Sequence, residues 1–343
     1  MKFGIVINPQ YVAWETVRDV FVEADELGFD SAWVCDHLIA YTPTFEGPIF
    51  EAWTLIAALA QATTKVRVGS LVTNNGFRNA GLLAKMAATV DHISNGRLTV
   101  GLGSGNGPGP AAEAHVHEYV SFGFPLMRLA ERTQMLAETC QVLHGLWGEG
   151  KFTFAGQYFQ IDQNPGDPLP VQRPRIPLLI GGVNEKYTLP VAARFADMWS
   201  HPLVGEDGCT PEMFAAKHAV LKQLCADIGR NPSEIETMVN LLIVVDEDNA
   251  TALERRERLL AALGMKFTHP EGWVVAGDPD AVAARLREYE AAGADHYVLT
   301  FIERPPAANA APAAPGVATA AMRREMQLFA GEVMPRMAKE ART

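Results

Sequence analysis

The sequence predicts an α/β protein that folds as a (β/α)8 TIM barrel with insertions, and two observations carry this prediction. Short apolar strand patterns alternate with amphipathic helix patterns along most of the 343 residues, and eight strand patterns can be counted. The strand patterns show no polar alternation, which is typical of parallel strands covered on both faces. Parallel strands need crossover connections, and the intervening helices provide them.

The first hundred residues predict four strands and three helices. Lys2 to Ile7 is apolar and β-prone and ends at the breaker pair Asn8-Pro9. Ala13 to Leu27 carries apolar residues at helical spacing, and Gly28 marks its end. The other patterns in this part are strands at 31–35, 66–72 and 98–102 and helices at 50–62 and 80–93.

The rest of the chain repeats the alternation less regularly. Insertions are expected at about 103–125 after strand four and at about 151–176 before strand five, and the Ala- and Pro-rich stretch 304–316 predicts a low-complexity loop. We expect residues 1–343 to form one domain, because barrels of this type run to about 250 residues or more. Four further strands are predicted at 178–180, 198–200, 237–245 and 296–301, and helices at 126–146, 187–195, 211–228, 250–263, 280–292 and 317–338.

A doubly wound Rossmann sheet is the alternative architecture. It would have about six strands, with a GxGxxG turn directly after the first of them. The first turn of this chain is Asn8-Pro9-Gln10, which offers no cradle for a phosphate. The count of eight strands therefore favours the barrel.

The composition indicates a cytoplasmic protein with a large core. Hydrophobic residues make up 48% of the chain, and the formal net charge of -11 argues against nucleic acid or an anionic membrane as a partner. The N-terminal segment lacks the apolar core of a signal peptide, and no apolar run approaches the ~20 residues that span a bilayer. The four cysteines are scattered, so we expect neither a metal site nor disulfide bonds.

Polar or glycine-rich residues follow most of the predicted strands. Because the active site of such a barrel lies at the carboxyl ends of its strands, these residues are expected to share one rim. Asp36-His37 follows strand two, and a histidine is the side chain best suited to exchange protons near neutral pH. A histidine held by hydrogen bonds at a strand end is the alternative, but the position at the rim favours a catalytic role.

Two glycine-rich turns are candidate sites for a phosphorylated ligand. Gly101 to Gly107 follows strand four, where glycines let the backbone approach a ligand closely, although a flexible loop is an alternative. Gly181-Gly182-Val183 leads into a predicted helix, whose N-terminus favours a phosphate. Two such turns on adjacent strands suit a long phosphorylated cofactor.

The other histidines give weaker indications. Residues 113–118 read Glu-Ala-His-Val-His-Glu, which does not match the HExxH spacing of a metal site, so a solvated segment is predicted. His201 follows strand six at the rim and is a candidate substrate contact. His296 lies inside strand eight and is predicted to be structural.

Segments along most of the chain resemble the luciferase-like monooxygenase superfamily, and within it the branch that uses the deazaflavin coenzyme F420. Together they are more specific for the superfamily than for a substrate. They also imply a bacterial luciferase-like barrel, and a homodimer is expected because members are often dimers. The matching segments are 23–37, 66–73, 77–78, 82–91, 94–98, 101–105, 122–126, 176–182 and 193–199.

The resemblance also implies roles for individual residues. The ring of F420, or of FMN as the alternative cofactor, would lie in the barrel mouth, with His37 near its reactive edge and Asp36 in contact with the ring system. A non-prolyl cis peptide bond is expected between Ser70 and Leu71. Further cofactor contacts are expected at Ser70, Leu71, Val72 and Thr73 after strand three, at Gly103, Ser104 and Gly105 after strand four, and at Gly181, Gly182 and Val183 around the phosphate.

One position departs from the pattern of that branch. The F420-dependent glucose-6-phosphate dehydrogenases carry a Glu after the turn of strand four as proton donor, and this chain has Asn106 there. An amide is a poor proton donor, so the residue argues against a sugar-phosphate dehydrogenase. We expect Asn106 to orient a different substrate at the catalytic site.

The predicted function is hydride transfer between the deazaflavin ring and a small organic substrate. The protein would supply position and electrostatics, and His37 would move a proton beside the ring. An FMN-dependent monooxygenase that draws on a separate flavin reductase is one alternative. A cofactor-binding protein without activity is another alternative, and a barrel lyase or isomerase is the last. The predicted strands of this chain have no lysine at their carboxyl ends, which argues against the lyase or isomerase.

Overall fold

Eight parallel strands close into a ring in the structure of the protein, a computed structural model. The structure describes residues 1–40, 45–105, 112–203, 208–263, 267–301 and 317–339. Within these residues the strands are β1 (Lys2–Ile7), β2 (Ser31–Val34), β3 (Arg67–Ser70), β4 (Thr73–Asn74), β5 (Leu98–Gly103), β6 (Phe152–Ala155), β7 (Gln160–Asn164), β8 (Leu178–Gly181), β9 (Met198–His201), β10 (Glu236–Val245), β11 (Val274–Gly277) and β12 (His296–Phe301).

Helices connect these strands and cover the outside of the ring. In the described part of the chain, no helix is long and apolar enough to cross a membrane. The helices are α1 (Trp14–Leu27), α2 (Ala52–Ala62), α3 (Ala80–Ile93), α4 (Ala112–Ser121), α5 (Leu129–Leu146), α6 (Thr188–Phe195), α7 (Pro211–Asp227), α8 (Asn249–Leu263), α9 (Pro279–Ala291), α10 (Val317–Leu328) and α11 (Met334–Lys339), with a π-helical turn at Phe329–Val333.

The ring runs in the order β1, β2, β3, β5, β8, β9, β10, β12, and β12 pairs with β1 to close it. These are the eight strands that the sequence predicts, so the barrel prediction is confirmed. The strand β11 was not predicted. Among the described strands it pairs with the carboxyl-terminal end of β10, from Leu242 beside Val274 to Val245 beside Gly277. Strands β6 and β7 form an antiparallel hairpin outside the ring, within the insertion expected before strand five.

Two apolar layers hold the barrel together. Helix α1 shows the outer layer, because Val17, Val20, Phe21 and Ala24 fall on one helical face and are fully buried against the strands. A second layer, the inner cluster, fills the interior of the ring with bulky side chains. Its members are Val6, Trp33, Leu71, Leu179, Met198, Met238 and Val298.

A polar cluster closes the amino-terminal end of the barrel. His296 lies with Nδ1 2.8 Å from Oε1 of Glu236 and Nε2 2.9 Å from Oγ of Ser31, and Lys2 Nζ donates to Oε2 of Glu236 at 2.5 Å. Burial raises the pKa of Glu236, but the hydrogen bonds and charges of His296 and Lys2 outweigh it and bring the pKa to about 2. His296 therefore has the structural surroundings that its position predicts, since this end of a barrel serves stability.

Replacing this carboxylate should destabilise the fold in a pH-dependent way. Because the folded pKa of Glu236 is depressed, its contribution is present above the unfolded value and is lost as pH falls toward about 2. We expect Glu236→Gln to lower the free energy of unfolding by about 2 kcal/mol at pH 7 and by about half as much near pH 3. Urea unfolding at both pH values measures this difference.

The matched control is Glu234→Gln, since Glu234 pairs with Arg230 at the surface and should contribute about 0–1 kcal/mol at either pH. An equal loss for both variants would contradict the prediction.

Candidate active site

The barrel is filled in its middle, and the layer of strand residues toward its carboxyl end is partly exposed. The inner cluster forms an apolar floor, and the strand positions two residues further along carry small side chains. Gly181 of β8 lies beside Ser200 of β9 in this upper layer, and Cys35 and Thr300 occupy it on other strands. Cys35, Gly181 and Thr300 are partly exposed, whereas nearly all neighbouring strand residues are buried. These positions form a partly exposed layer above the apolar floor at the carboxyl end of the ring, and we call this layer the mouth.

A break in the third strand forms one wall of this mouth. The strand β3 ends and β4 begins two residues later, so Leu71 and Val72 lie between them. Val72 presses against two glycines of neighbouring strands. A Cβ atom on Gly103 would lie 2.6 Å from its Cγ2, and one on Gly181 would lie 3.0 Å from its Cγ1. These glycines therefore make room for the bulged strand as well as leaving the mouth open.

The cis peptide bond lies one residue further along the chain than expected. The structure has the non-prolyl cis bond between Leu71 and Val72, so the prediction for Ser70-Leu71 was wrong by one position. The backbone N–H of Leu71 still donates to the carbonyl of Val34 at 2.9 Å. The Ser70-Leu71 bond thus belongs to the regular ladder with β2, and the chain departs from it only after Leu71.

Asp36 is held in a buried ion pair. Both guanidinium nitrogens of Arg78 donate to its carboxylate, at 2.6 and 2.9 Å, and the backbone N–H of Asn74 adds a third bond at 2.9 Å. Arg78 also donates to Glu51, which caps α2 by accepting from Trp53 and Thr54. The Asp36 side chain has no exposed surface. Its described contacts are therefore with the protein, and a contact with a cofactor ring stays a prediction.

The hydroxyl groups of the third strand are likewise turned into the protein. Ser70 and Thr73 share a short hydrogen bond between their hydroxyl oxygens, and both residues are buried. The hydroxyl of Thr73 also accepts from the indole of Trp53 at 3.1 Å. Among the third-strand candidates, Leu71 belongs to the inner cluster and Val72 packs against it, partly exposed. The predicted cofactor contacts of Ser70 and Thr73 stay predictions.

His37 lies on the rim with a carboxylate behind it. Its Nδ1 is 3.4 Å from Oε2 of Glu118, and its side chain is 24% exposed. The other oxygen of Glu118 accepts from the backbone N–H of Leu38 at 2.5 Å. Glu118 comes from α4, within the insertion after β5. The structure thus joins the rim of strand two to a helix that lies 80 residues later.

The prediction of a solvated segment at 113–118 was wrong. These residues belong to α4, and its inner face buries His115, Glu118 and Tyr119. Tyr119 donates to the side-chain oxygen of Asn74 at 2.6 Å. Burial and the nearby Arg132 lower the pKa of His115 to about 4. The inner face of α4 can be buried because its polar side chains have polar partners on the barrel side of the helix.

The turn after β5 is fixed from the opposite side by α5. Arg132 donates to the carbonyl oxygen of Ser104 at 3.0 Å and lies 3.3 Å from Nε2 of His115. Its guanidinium also lies against Gly105, which has φ +81°. The predicted ring contacts of Ser104 and Gly105 would thus come from a turn held in place by a buried cation.

The turn after β8 has the geometry of a helix-entry site. Gly182 has φ +131°, and its backbone N–H and C=O are bonded to Ser200 and to the Trp199 indole at 3.1 and 2.8 Å. The following Asn184 accepts from the backbone N–H groups of Lys186 and Tyr187 before α6 begins. The residues Gly181, Gly182 and Val183 are partly exposed, which leaves them accessible for the predicted phosphate contact.

His201 is not at the surface of the mouth. Its ring is 2% exposed, lies about 6 Å from the rings of Trp199 and Phe214, and its Nδ1 is 2.8 Å from the carbonyl oxygen of Pro202. Burial lowers its pKa to about 4, so the ring is neutral. Alternation along β9 turns Ser200 toward the interior and His201 toward α7. The substrate contact predicted for His201 stays a prediction, and this buried position does not support it.

Two predicted features lie outside the described residues. These are Asn106, the expected catalytic and substrate-orienting residue, and the loop at 304–316. Within the residues that are described, no cluster of three or more His, Cys, Asp or Glu side chains is placed to hold a metal ion.

Several residues of the site were missed by sequence reasoning. Arg78 and Glu118 are partners of the predicted pair Asp36-His37, but they lie 42 and 81 residues away in sequence. Asn8 and Asn75 follow β1 and β4, and the Asn8 Oδ1 and Asn75 Nδ2 atoms are buried with no hydrogen-bond partner in the described structure. The breaker pair at Asn8 was visible in the sequence, but nothing in it showed an unpaired amide.

Comparison with known proteins identifies the family. A profile described as luciferase-like monooxygenase matches residues 1–273. The chain is 26% identical over 331 aligned positions to an F420-dependent glucose-6-phosphate dehydrogenase of Amycolatopsis mediterranei, covering 87% of this chain and 92% of that protein. An F420-dependent secondary alcohol dehydrogenase in complex with an F420-acetone adduct superposes with a TM-score of 0.77 at 20% identity, covering 98% of both chains. A monooxygenase from Streptomyces bottropensis superposes with a TM-score of 0.76 at 21% identity, covering 98% of this chain and 100% of that one. The protein belongs to the luciferase-like monooxygenase family.

Proposed function

We propose that the protein is an oxidoreductase that uses coenzyme F420 to transfer a hydride to or from a small organic substrate. The observation that carries the proposal is the partly exposed mouth above the inner cluster, with His37 and its buried partner Glu118 on the rim. A flat ring needs an apolar floor and a proton-exchanging group at its edge. The F420-dependent dehydrogenase of Amycolatopsis mediterranei, matched along most of its length, supports the same cofactor.

The residues of the mouth fit such a cofactor. Asn8 and Asn75 each leave an amide atom without a protein partner, one an acceptor and one a donor. A ring edge that carries both carbonyl and N–H groups would satisfy them. Val72 would back the ring, and the turn at Gly181–Val183 before α6 would hold the phosphate. When bound, F420 supplies two-electron hydride chemistry at its ring.

The protein's own groups have three tasks in this reaction. The inner cluster excludes water from the floor of the mouth, which strengthens every polar interaction above it. His37 moves a proton to or from the substrate. Arg78 fixes the Asp36 carboxylate, and through it the turn that carries His37.

We infer that the substrate is not a sugar phosphate. Asn106 replaces the proton-donating Glu of the glucose-6-phosphate dehydrogenases. Of the arginines described next to the mouth, Arg78 is bound to two carboxylates and Arg132 to the backbone of Ser104. A neutral organic substrate suits this arrangement better than an anionic one.

The remaining expectations belong to the same proposal. A single domain and a homodimer rest on the family resemblance. A location in the cytoplasm rests on the composition and on the four free cysteines, which a reducing compartment favours. An FMN-dependent monooxygenase with a separate flavin reductase is the second candidate, and the similarity in fold to the Streptomyces bottropensis monooxygenase favours it.

Titration with the two cofactors tests the proposal. We expect purified protein to bind F420 with a dissociation constant at least about tenfold below that for FMN, measured by cofactor fluorescence. The matched variants are Thr300→Phe, which places a bulky ring at the partly exposed mouth, and Thr89→Phe, which does so on the exposed face of α3. Only Thr300→Phe should weaken F420 binding. Micromolar binding of FMN without binding of F420 would overturn the assignment in favour of the monooxygenase.

A further inference from the structure

The strand β10 lies directly across the barrel from the bulged third strand, since it is four strands from β3 in either direction around the closed ring. Every residue of β10 from Thr237 to Val245 is buried except Asn240, which is partly exposed. Asn240 follows Met238 of the inner cluster by two positions and lies in register beside Val298 of the same cluster. Its side chain therefore faces the interior of the ring and belongs to the mouth.

A buried hydroxyl group fixes the orientation of this amide. Ser200 of β9 is 1% exposed, and its Oγ donates to Oδ1 of Asn240 at 3.3 Å. Among the described residues this hydroxyl has no other acceptor, so the reversed amide would leave a buried donor unpaired, which is costly. Ser200 thus occupies Oδ1, and the NH2 group, which has no partner in the described structure, is presented to the mouth.

The same face of β10 is apolar beyond the amide. Leu242 and Val244 continue the face of Asn240 and pack against α8 and β11. Leu241 and Ile243, which alternate with them, belong to the outer layer of the barrel. The helix α8 therefore reaches the mouth-facing side of this strand, and the wall above the Asn240 amide is apolar.

The mouth around the amide is uncharged. Its thiol is neutral, because burial and the neighbouring Asp36 raise the pKa of Cys35 to about 12. A carboxylate or phosphate at this depth would have no counter-ion among the described residues of the layer. These residues are Cys35, Gly181, Ser200, Asn240 and Thr300.

We propose that Asn240 is a specificity-determining residue that donates a hydrogen bond from Nδ2 to the substrate, and that the substrate is a neutral compound with an apolar body and an acceptor such as a ring nitrogen or an amide oxygen. The inference rests on the proposed function, in which Val72 backs the cofactor ring from β3 and the substrate lies between that ring and β10. A compound without an acceptor would strip water from the NH2 group and return no hydrogen bond, and this loss is the source of the specificity.

Pyridine and benzene test the inference, because they have nearly the same shape and differ in one acceptor. The protein is full-length, labelled with 15N-asparagine and free of cofactor, at a pH well above the pKa of pyridine. We expect pyridine to shift the side-chain resonances of Asn240 and to bind at least about tenfold more tightly than benzene. The resonances are assigned by their absence from the spectrum of Asn240→Leu.

The variants separate the amide from the rest of the mouth. Asn240→Leu keeps the branched shape without the donor, so its dissociation constants for the two compounds should lie within about threefold of each other. Gln61→Leu removes an exposed amide on α2 and is the matched control, which should keep the tenfold difference. A tenfold preference for pyridine that survives in Asn240→Leu would assign the donor to another group and refute the inference.

Saturating the protein with oxidised F420 distinguishes a substrate contact from a cofactor contact. If pyridine still shifts the Asn240 resonances with F420 bound, the amide binds a ligand beside the ring, as proposed. If F420 abolishes the shift, Asn240 contacts the ring itself and the substrate role is overturned.

Failure of the inference differs from failure of the proposed function. Benzene that binds the wild-type protein as tightly as pyridine overturns the inference, and this result needs no folded variant. Wild-type protein that binds no F420 overturns the proposed function and leaves the comparison of pyridine with benzene valid.

Discussion

His37→Gln is expected to lower kcat of the F420-dependent reaction by about 100- to 10,000-fold, which is the range that a positioned acid–base group contributes. The reason lies in the geometry of the rim. His37 is partly exposed at the mouth, while its Nδ1 faces the buried Glu118. Glutamine retains a polar side chain but cannot exchange a proton, so the chemical step loses its acceptor while the mouth keeps its shape.

The measurement separates chemistry from binding. Steady-state bleaching of oxidised F420 gives kcat and KM, and fluorescence titration gives the cofactor dissociation constant, which should change less than about threefold. The matched control is His117→Gln, because His117 lies on the exposed face of α4 and stacks on Phe45 at 5.1 Å. If His37→Gln turns over at the rate of the control, His37 has no part in proton transfer.

The eight barrel strands were predictable because their pattern has few alternative explanations. β10 ends in an unbroken apolar run from Leu241 to Val245, and β12 contains one from Tyr297 to Leu299, which is typical of strands covered on both faces. The strand β11 was missed for a physical reason. Its four residues pair only with the end of β10, and a short Val-Val-Ala-Gly run does not differ from a loop in the sequence alone.

Helix α4 shows where periodicity fails. Its exposed face carries Val116 and Val120, and its buried face carries His115 and Glu118. The usual rule that apolar residues mark the inner face would therefore orient this helix backwards. A polar network at an active site reverses the pattern, and such reversals are found where function outweighs packing.

The site was predictable only for residues that lie next to each other in the sequence. Asp36-His37 could be placed on the rim by counting strands. Their partners could not, because the contact of Asp36 with Arg78 depends on how the chain turns after the bulge at Leu71-Val72. An acid–base site built from Asp, Arg, His and Glu side chains has no spacing rule that links residues so far apart in sequence.

Arg78→Met should lower the free energy of unfolding by about 3–5 kcal/mol, because it leaves the Asp36 carboxylate buried without its cation. The Asp36 side chain has no exposed surface and that of Arg78 is 10% exposed, so water cannot replace the lost bonds. Methionine keeps an apolar stem at the site but ends short of the guanidinium, so the change removes the charge and its hydrogen bonds. Urea unfolding of the two proteins at pH 7 measures the difference.

The second substitution decides the cause of that loss. Asp36→Asn removes the buried charge, so adding it to Arg78→Met should recover part of the stability, and the cycle then gives a coupling of at least about 1 kcal/mol. Arg18→Met is the matched control, because Arg18 pairs with Asp19 at the surface with both side chains 41% exposed, and such pairs contribute about 0–1 kcal/mol. If Arg78→Met destabilises the fold no more than Arg18→Met, the carboxylate of Asp36 is not held by this ion pair. A large loss restored by Asp36→Asn would instead mean that the rim turn carrying His37 depends on a neutralised buried charge.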